Sequence, residues 1–245
     1  MIYRRIKTRV EQENWFAVAI DFFIVVFGIF AGFQVTQWNA ERNDRIAEAT
    51  VIQRLVDEYQ ENLILLASDK SKSQSTREAT LHLMSLIAPQ PDPTISEESV
   101  SQLFLKCLSN PKLIPSLGTT SSLMASGDLK LIRSPAIQSS LTQWQTKVQG
   151  IIEWQEIERM HGEELILGLT FEFLAWPTID NQLGHDTFPS KLTSDFQGLF
   201  TSKKFEGLLH NRQFNLRASI ERIIDLEADT QTLIEMLRDR LKEIR

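Results

Sequence analysis

The alternation of polar and apolar residues along this chain changes character near residue 35. Between Trp15 and Val35, 17 of 21 residues are apolar, and 6 of the chain's 14 Phe sit there. No polar face interrupts the run, and a helix that is apolar on all sides belongs in a protein core or in lipid. Trp15 and Trp38 bracket it with a separation of 23 residues. That is roughly 34 Å of helix, set against a hydrocarbon layer of roughly 30 Å whose boundaries Trp favours. The pattern predicts a membrane-spanning helix over 15–38, with Trp15 and Trp38 as interfacial anchors. A buried core helix and a cleaved signal peptide are the alternatives. The only Ala-x-Ala, Ala17-Val18-Ala19, opens the apolar run instead of following it, which does not suit a cleavage site. An uncleaved signal anchor fits the run best.

Past residue 38 the period becomes helical. No Gly or Pro occurs between Gly32 and Pro89, and only four Val and one Tyr follow residue 35, which disfavours sheet. Ile46, Ala49, Ile52, Val56, Tyr59, Leu63 and Leu66 recur at threes and fours, the mark of an amphipathic helix. The polar stretch 68–77 (SDKSKSQSTR) could turn the chain, yet it holds no helix breaker. A long helix over 39–88 then meets the Pro89–Pro93 linker. Thr94 and Glu97 form a capping-box pattern, and Pro111 and Pro115 mark a loop. Gly127 is placed as a left-handed C-cap, while Ser134-Pro135 can start a helix running to about Ala175. Residues 176–190 are expected to be a loop. Ile220, Ile223, Thr230, Ile234, Leu237, Leu241 and Ile244 stripe a closing helix within 191–245. The predicted fold class is all-α: one N-terminal transmembrane helix continuing into an extramembrane antiparallel helical bundle over 39–245.

Within the span, Asp21 is the sole charge. Steps of four and three place Asp21, Val25, Gly28, Gly32 and Val35 on one helical face. A carboxylate deep in a membrane costs about 2.5–3.5 kcal/mol on insertion scales and usually faces a partner or a wet cavity. A Gly-xxx-Gly pair lets two helix backbones approach closely. Together they predict a helix-packing seam, either with another copy of the chain or with another integral membrane protein. The rival explanation is an acid solvated near the interface beside glycines tolerated there.

Composition changes this picture in three ways. Beyond the span, 22 basic face 29 acidic side chains, so the body lacks the basic footprint of a nucleic-acid binder. Cys107 is the only cysteine, which excludes an internal disulfide and any multi-Cys metal cluster. Arg4, Arg5, Lys7 and Arg9 precede the span, against Arg42, Arg45 and Arg54 after it. That bias points to a short cytoplasmic tail at 1–14, an inner (cytoplasmic) membrane location and a periplasmic C-terminal body.

Candidate chemistry is sparse. Glu158-x-x-His161 has the spacing used by carboxylate-bridged di-metal bundles, but a second such pair is missing. Glu153, Glu156, Glu163 and Glu164 crowd the same segment, so it is expected to be a solvated charged face. Glu78/His82 and Glu206/His210 are ordinary i, i+4 pairs. Ser121-Ser122 and Ser139-Ser140 have no nearby base, and no phosphate-binding or dinucleotide fingerprint occurs. Cys107, among Leu103, Phe104, Leu105 and Leu108, is expected to be a small buried hydrophobe. Trp144, Trp154 and Trp176 are expected to be core or interface anchors. No catalytic, cofactor-binding or metal-binding residues are predicted.

Two segments resemble an uncharacterised bacterial family of single-span membrane proteins. The first is Asp21, six apolar residues, Gly28, then Gln34 and Trp38-Asn39-x-Glu41. The second is Thr119-Thr120 through Leu123, followed by Ser126-Gly127-Asp128-Leu129-Lys130-Leu131-Ile132. Together they cover about 35 positions of 245, with Asp21 where the family commonly has Glu. The resemblance implies anchoring and helical architecture and no reaction. The resulting expectation is a non-catalytic, membrane-anchored scaffold or accessory subunit. Two alternatives stand beside it. One is the proton-coupled small subunit of a stator-like motor using Asp21. The other is a helical ligand sensor signalling through a membrane partner.

Overall fold

The computed structural model describes residues 15–88, 97–182, 184–186, 188 and 190–244, with backbone alone at 15–18 and 182. Among the described residues there are helices and no strands, as the helical periodicity requires. Helix α1 spans Trp15–Ser85, α2 Glu97–Leu108, α3 Gly118–Ser126 and α4 Pro135–Met160. A π-helical segment, His161–Ile166, carries α4 into α5, Leu167–Thr170. Then come α6, Trp176–Gln182, α7, Phe196–Phe200, and α8, Lys203–Ile244. Internal contacts group the chain into two units, with the division after Thr50.

In the first unit α1 is long and apolar enough to cross a membrane, and none of that apolar window is buried within the protein. Twelve large apolar side chains from Ile20 to Trp38 are 42–72% exposed. The Pro89–Pro93 linker and the Thr94/Glu97 capping pattern fall largely outside the described residues.

In the second unit four legs alternate in direction. The C-terminal part of α1 is the first leg, residues 97–126 the second, α4–α5 the third and α8 the fourth. Cys107 meets Thr80, Ser116 meets Asn62 and Thr120 meets Tyr59, so the second leg descends along α1. Trp144 bonds Thr230 and Trp154 bonds the carbonyl of Asn215, so α8 descends along α4. Local signals explain most of the boundaries. Gly127 takes φ 73° and closes α3 in the left-handed region. The Ser134 hydroxyl accepts from Ile137 N, with Pro135 in the first turn of α4.

Three expectations need correction. Residues 176–190 are not all loop: Trp176–Gln182 is a helix beginning on Trp-Pro, which is preset for a first turn. The helix from Pro135 changes to π bonding at His161 and ends at Thr170, short of Ala175. Ile46, placed on the apolar stripe by spacing, is 57% exposed, whereas Ile52, Leu55, Val56, Tyr59 and Leu66 are buried. The long helix expected over 39–88 does run unbroken through 68–77 and ends at Ser85.

Two apolar regions fill the second unit. One gathers Leu83, Phe104, Cys107, Ile166, Ile179, Phe200 and Phe205. The other includes Tyr59 packed edge-on against Trp144 at 5.0 Å. Between these two stretches of α1, α4 and α8 most of the buried residues are polar, with the apolar Leu216 of α8 among them. The polar ones are Asp69, Ser73 and Thr76 on α1, Gln155 and Glu158 on α4, and Arg212, Asn215 and Ser219 on α8, none more than 6% exposed.

Candidate functional sites: an uncovered helix face and a buried polar layer

The anticipated seam lies wholly on α1. Asp21, Val25, Gly28, Gly32 and Val35 share one face and all are exposed. A Cβ built on Gly28 or Gly32 would meet nothing within 4 Å, so that face has room for a second backbone. Thr36 turns its hydroxyl back onto the Gly32 carbonyl at 3.0 Å, which satisfies its own polarity without a partner. Trp38 is 65% exposed; the Trp15 side chain lies outside the described residues. Leaving the twelve large side chains between Ile20 and Trp38 in water would cost on the order of 20–35 kcal/mol, at roughly 1.5–3 kcal/mol each. An apolar cover over the sleeve would recover that free energy.

The polar layer answers a backbone problem. Pro111 and Pro115 keep 109–117 out of any helix, so its peptide groups need partners from elsewhere. Three other legs supply them. Asn62 of α1 pairs with both backbone groups of Ser116, its Nδ2 donating to O at 2.7 Å and its Oδ1 accepting from N at 2.8 Å. Gln155 of α4 accepts from Leu113 N at 2.8 Å. Arg212 of α8 donates to Cys107 O at 2.8 Å, Ser109 O at 2.7 Å, Glu158 O at 2.6 Å and Asn110 Oδ1 at 3.2 Å. Glu58 then caps α3. Its carboxylate accepts from Thr119 N and Thr120 N and from the Thr120 hydroxyl, an acid at the positive end of a helix.

Arg212 fits because Gly162 has no side chain. A Cβ there would stand 2.9 Å from Nη1 of Arg212 and 3.1 Å from Oδ1 of Asn110. The π-helical turn that contains Gly162 begins directly after Met160, and such turns recur where a helix must accommodate an inserted group. Beside it, Nδ2 of Asn215 meets Nδ1 of His161 at 2.7 Å. Burial, reinforced by the Arg212 charge, pushes His161 down.

Two carboxylic acids occupy this layer. Oδ2 of Asp69 accepts from Nε2 of Gln155 at 2.6 Å, while Oδ1 has no partner within the protein. Oε1 of Glu158 also has none, nor do the hydroxyls of Ser73 and Ser219. Burial pushes the Glu158 carboxyl up to about 7 against the opposing pull of Arg212, and the charge of Asp69 adds to the rise. Burial likewise raises Asp69.

The segment 153–164 is thus only partly the solvated face its composition suggested. Glu153, Glu156, Glu163 and Glu164 are exposed, but Glu158 is 3% exposed and faces inward. Glu78, His82, Glu206 and His210 are exposed. Cys107 is buried, accepting from the Thr80 hydroxyl at 3.4 Å. Trp144 is buried and Trp154 and Trp176 are half-buried, each with its indole N–H bonded. Among the described residues no group of three or more His, Cys, Asp or Glu side chains is placed to hold a metal ion. Comparison of the chain with family models, curated proteins and solved structures returns no match.

Proposed function

We propose that the protein is a non-catalytic, single-pass membrane protein that acts through assembly, as a scaffold or accessory subunit. In this reading α1 anchors it in the inner membrane with residues 1–14 cytoplasmic and the bundle periplasmic. The face Asp21, Val25, Gly28, Gly32 and Val35 packs against a second copy or another integral membrane protein. Membership of the uncharacterised single-span family is part of the same reading. The observation that carries it is the uncovered apolar sleeve from Ile20 to Trp38, with its two glycines open on the side that bears the acid. Lipid covers most of such a sleeve, and a close-packed helix covers the glycine side, where tight backbone contact replaces the missing side chains.

The test is mild solubilisation from native membranes followed by native mass spectrometry of wild type and a Gly28→Leu/Gly32→Leu variant. The reading expects wild type in complexes that the variant loses. Strictly monomeric wild type, both in detergent and after cross-linking in native membranes, would contradict it.

A further inference from the structure

The polar layer holds more negative charge than its hydrogen bonds account for. Asp69 and Glu158 are both more than nine-tenths buried, as is Arg212, the guanidinium among them. The four hydrogen bonds of Arg212 go to three carbonyls and an amide oxygen, none to either carboxylate. Of the other cations, Lys72 on α1 and Arg222 on α8, whose fields reach the acids, stand at exposed positions, and Arg77 on α1 is half-buried with its Nε unpartnered. Arg222 is further occupied over the Trp154 ring at 4.1 Å. From the remaining packed elements, α2 contributes Cys107 beside Arg212, and the third leg contributes His161 and the exposed Glu163. Two buried carboxylates against one buried guanidinium leave one negative charge over, and an uncompensated charge in a dry interior takes a proton instead of remaining ionised.

Geometry selects which acid takes it. Asp69 holds a short bond from Gln155 that favours its charged form. Oε1 of Glu158 has no partner at hydrogen-bond distance; the Ser219 hydroxyl nearby, also unpartnered, favours the charged form only weakly against burial. Protonation converts an orphaned acceptor into a donor able to use that hydroxyl oxygen. We propose that the polar layer is a proton-binding site: one proton exchanged with solvent forms an O–H bond on the Glu158 carboxyl, and the four-leg packing is most stable with it bound. The pH dependence follows from linkage. An acid whose folded value is raised contributes stability that is fully present below its unfolded value of about 4.3. That contribution is lost as pH rises through the folded value, here about 7. The bundle would thus respond to acidity up to neutral pH, beyond the range in which ordinary carboxylates titrate.

The test uses the full chain in detergent micelles. Chemical unfolding of wild type should show an unfolding constant that rises about a hundredfold between pH 4.5 and 8, beyond any rise in Glu158→Gln, which keeps the layer neutral. Identical pH profiles for the two proteins would overturn the proposal. Infrared spectroscopy of wild type with glutamate selectively labelled by 13C needs no variant to fold. It should show a neutral carboxylic-acid band that disappears near neutral pH. A spectrum with every glutamate ionised at pH 6 would contradict the assignment. So would stability at pH 8 that sodium restores and acid does not, since a metal cation would then hold the place given to the proton.

Discussion

Helix α1 holds two stretches that follow different rules. From Ile20 to Trp38 thirteen of nineteen residues are apolar, and the large ones all face outward. From Val51 to Ser85 the same backbone carries many more polar residues, and yet side chains at regular intervals are fully buried. Asp69, Ser73, Thr76 and Thr80 are among them. Hydrophobicity alone therefore does not identify the side of a helix that turns inward. In the first stretch composition decides the environment; in the second, placement decides it, because peptide groups on a neighbouring leg need hydrogen bonds that only polar side chains supply.

The largest contrast should come from removing Arg212. Arg212→Ala removes the side-chain donor from the carbonyls of Cys107, Ser109 and Glu158 and takes a counter-charge from the Glu158 acid. Losing one partner of such a network costs roughly 3–5 kcal/mol, readable by denaturant unfolding. A truncation of similar size at Phe23, where the side chain is 70% exposed, should leave unfolding of the second unit within about 0.5 kcal/mol of wild type.

Next in size is Glu58→Ala, which strips the N-terminus of α3 of its acceptor. A loss of about 1–3 kcal/mol is expected, together with faster amide exchange at Thr119 and Thr120. Gly162→Ala should cost about 1–3 kcal/mol, because the added methyl meets the Arg212 guanidinium and Asn110 at contact distances that force a shift. Smallest for the second unit is Gly28→Leu, expected to change its unfolding by less than about 0.5 kcal/mol while weakening association within membranes. A loss of several kcal/mol from Gly28→Leu would erase the distinction between the two stretches.

Much of this architecture is legible in the residues themselves. The apolar sleeve, the left-handed cap at Gly127, the Ser134-Pro135 start and the striped closing helix all rest on local chemistry, and the structure contains each of them. The polar layer is not legible in the same way. The polar stretch 68–77 carries no apolar stripe to mark an inward face, and Glu158 among four exposed glutamates reads as surface. Both carry their meaning from a leg more than 40 residues away, as in the Gln155–Asp69 bond and the bond from Arg212 to the Glu158 carbonyl. One signal was present: Asp69, Ser73, Thr76 and Thr80 keep a helical period through a segment without Gly or Pro. Short polar side chains at that spacing mark a face with something to bond.

A spin-label scan along α1 in lipid bilayers measures the contrast between its two stretches most directly. Single cysteines placed from Ile20 to Leu83, in a Cys107→Ala background, would each report their access to dissolved oxygen and to a water-soluble nickel chelate. From Ile20 to Val35 oxygen should dominate on every face except the one carrying Asp21, Gly28 and Gly32, where both reagents are excluded. From Ile52 to Leu83 the water-soluble reagent should rise and fall with the helical period, with minima at Ile52, Tyr59, Asp69, Ser73 and Leu83. Water access that oscillates in the same way between Ile20 and Val35 would contradict a lipid-facing sleeve. Water access at Asp69 and Ser73 equal to that at their exposed neighbours would contradict the buried polar layer.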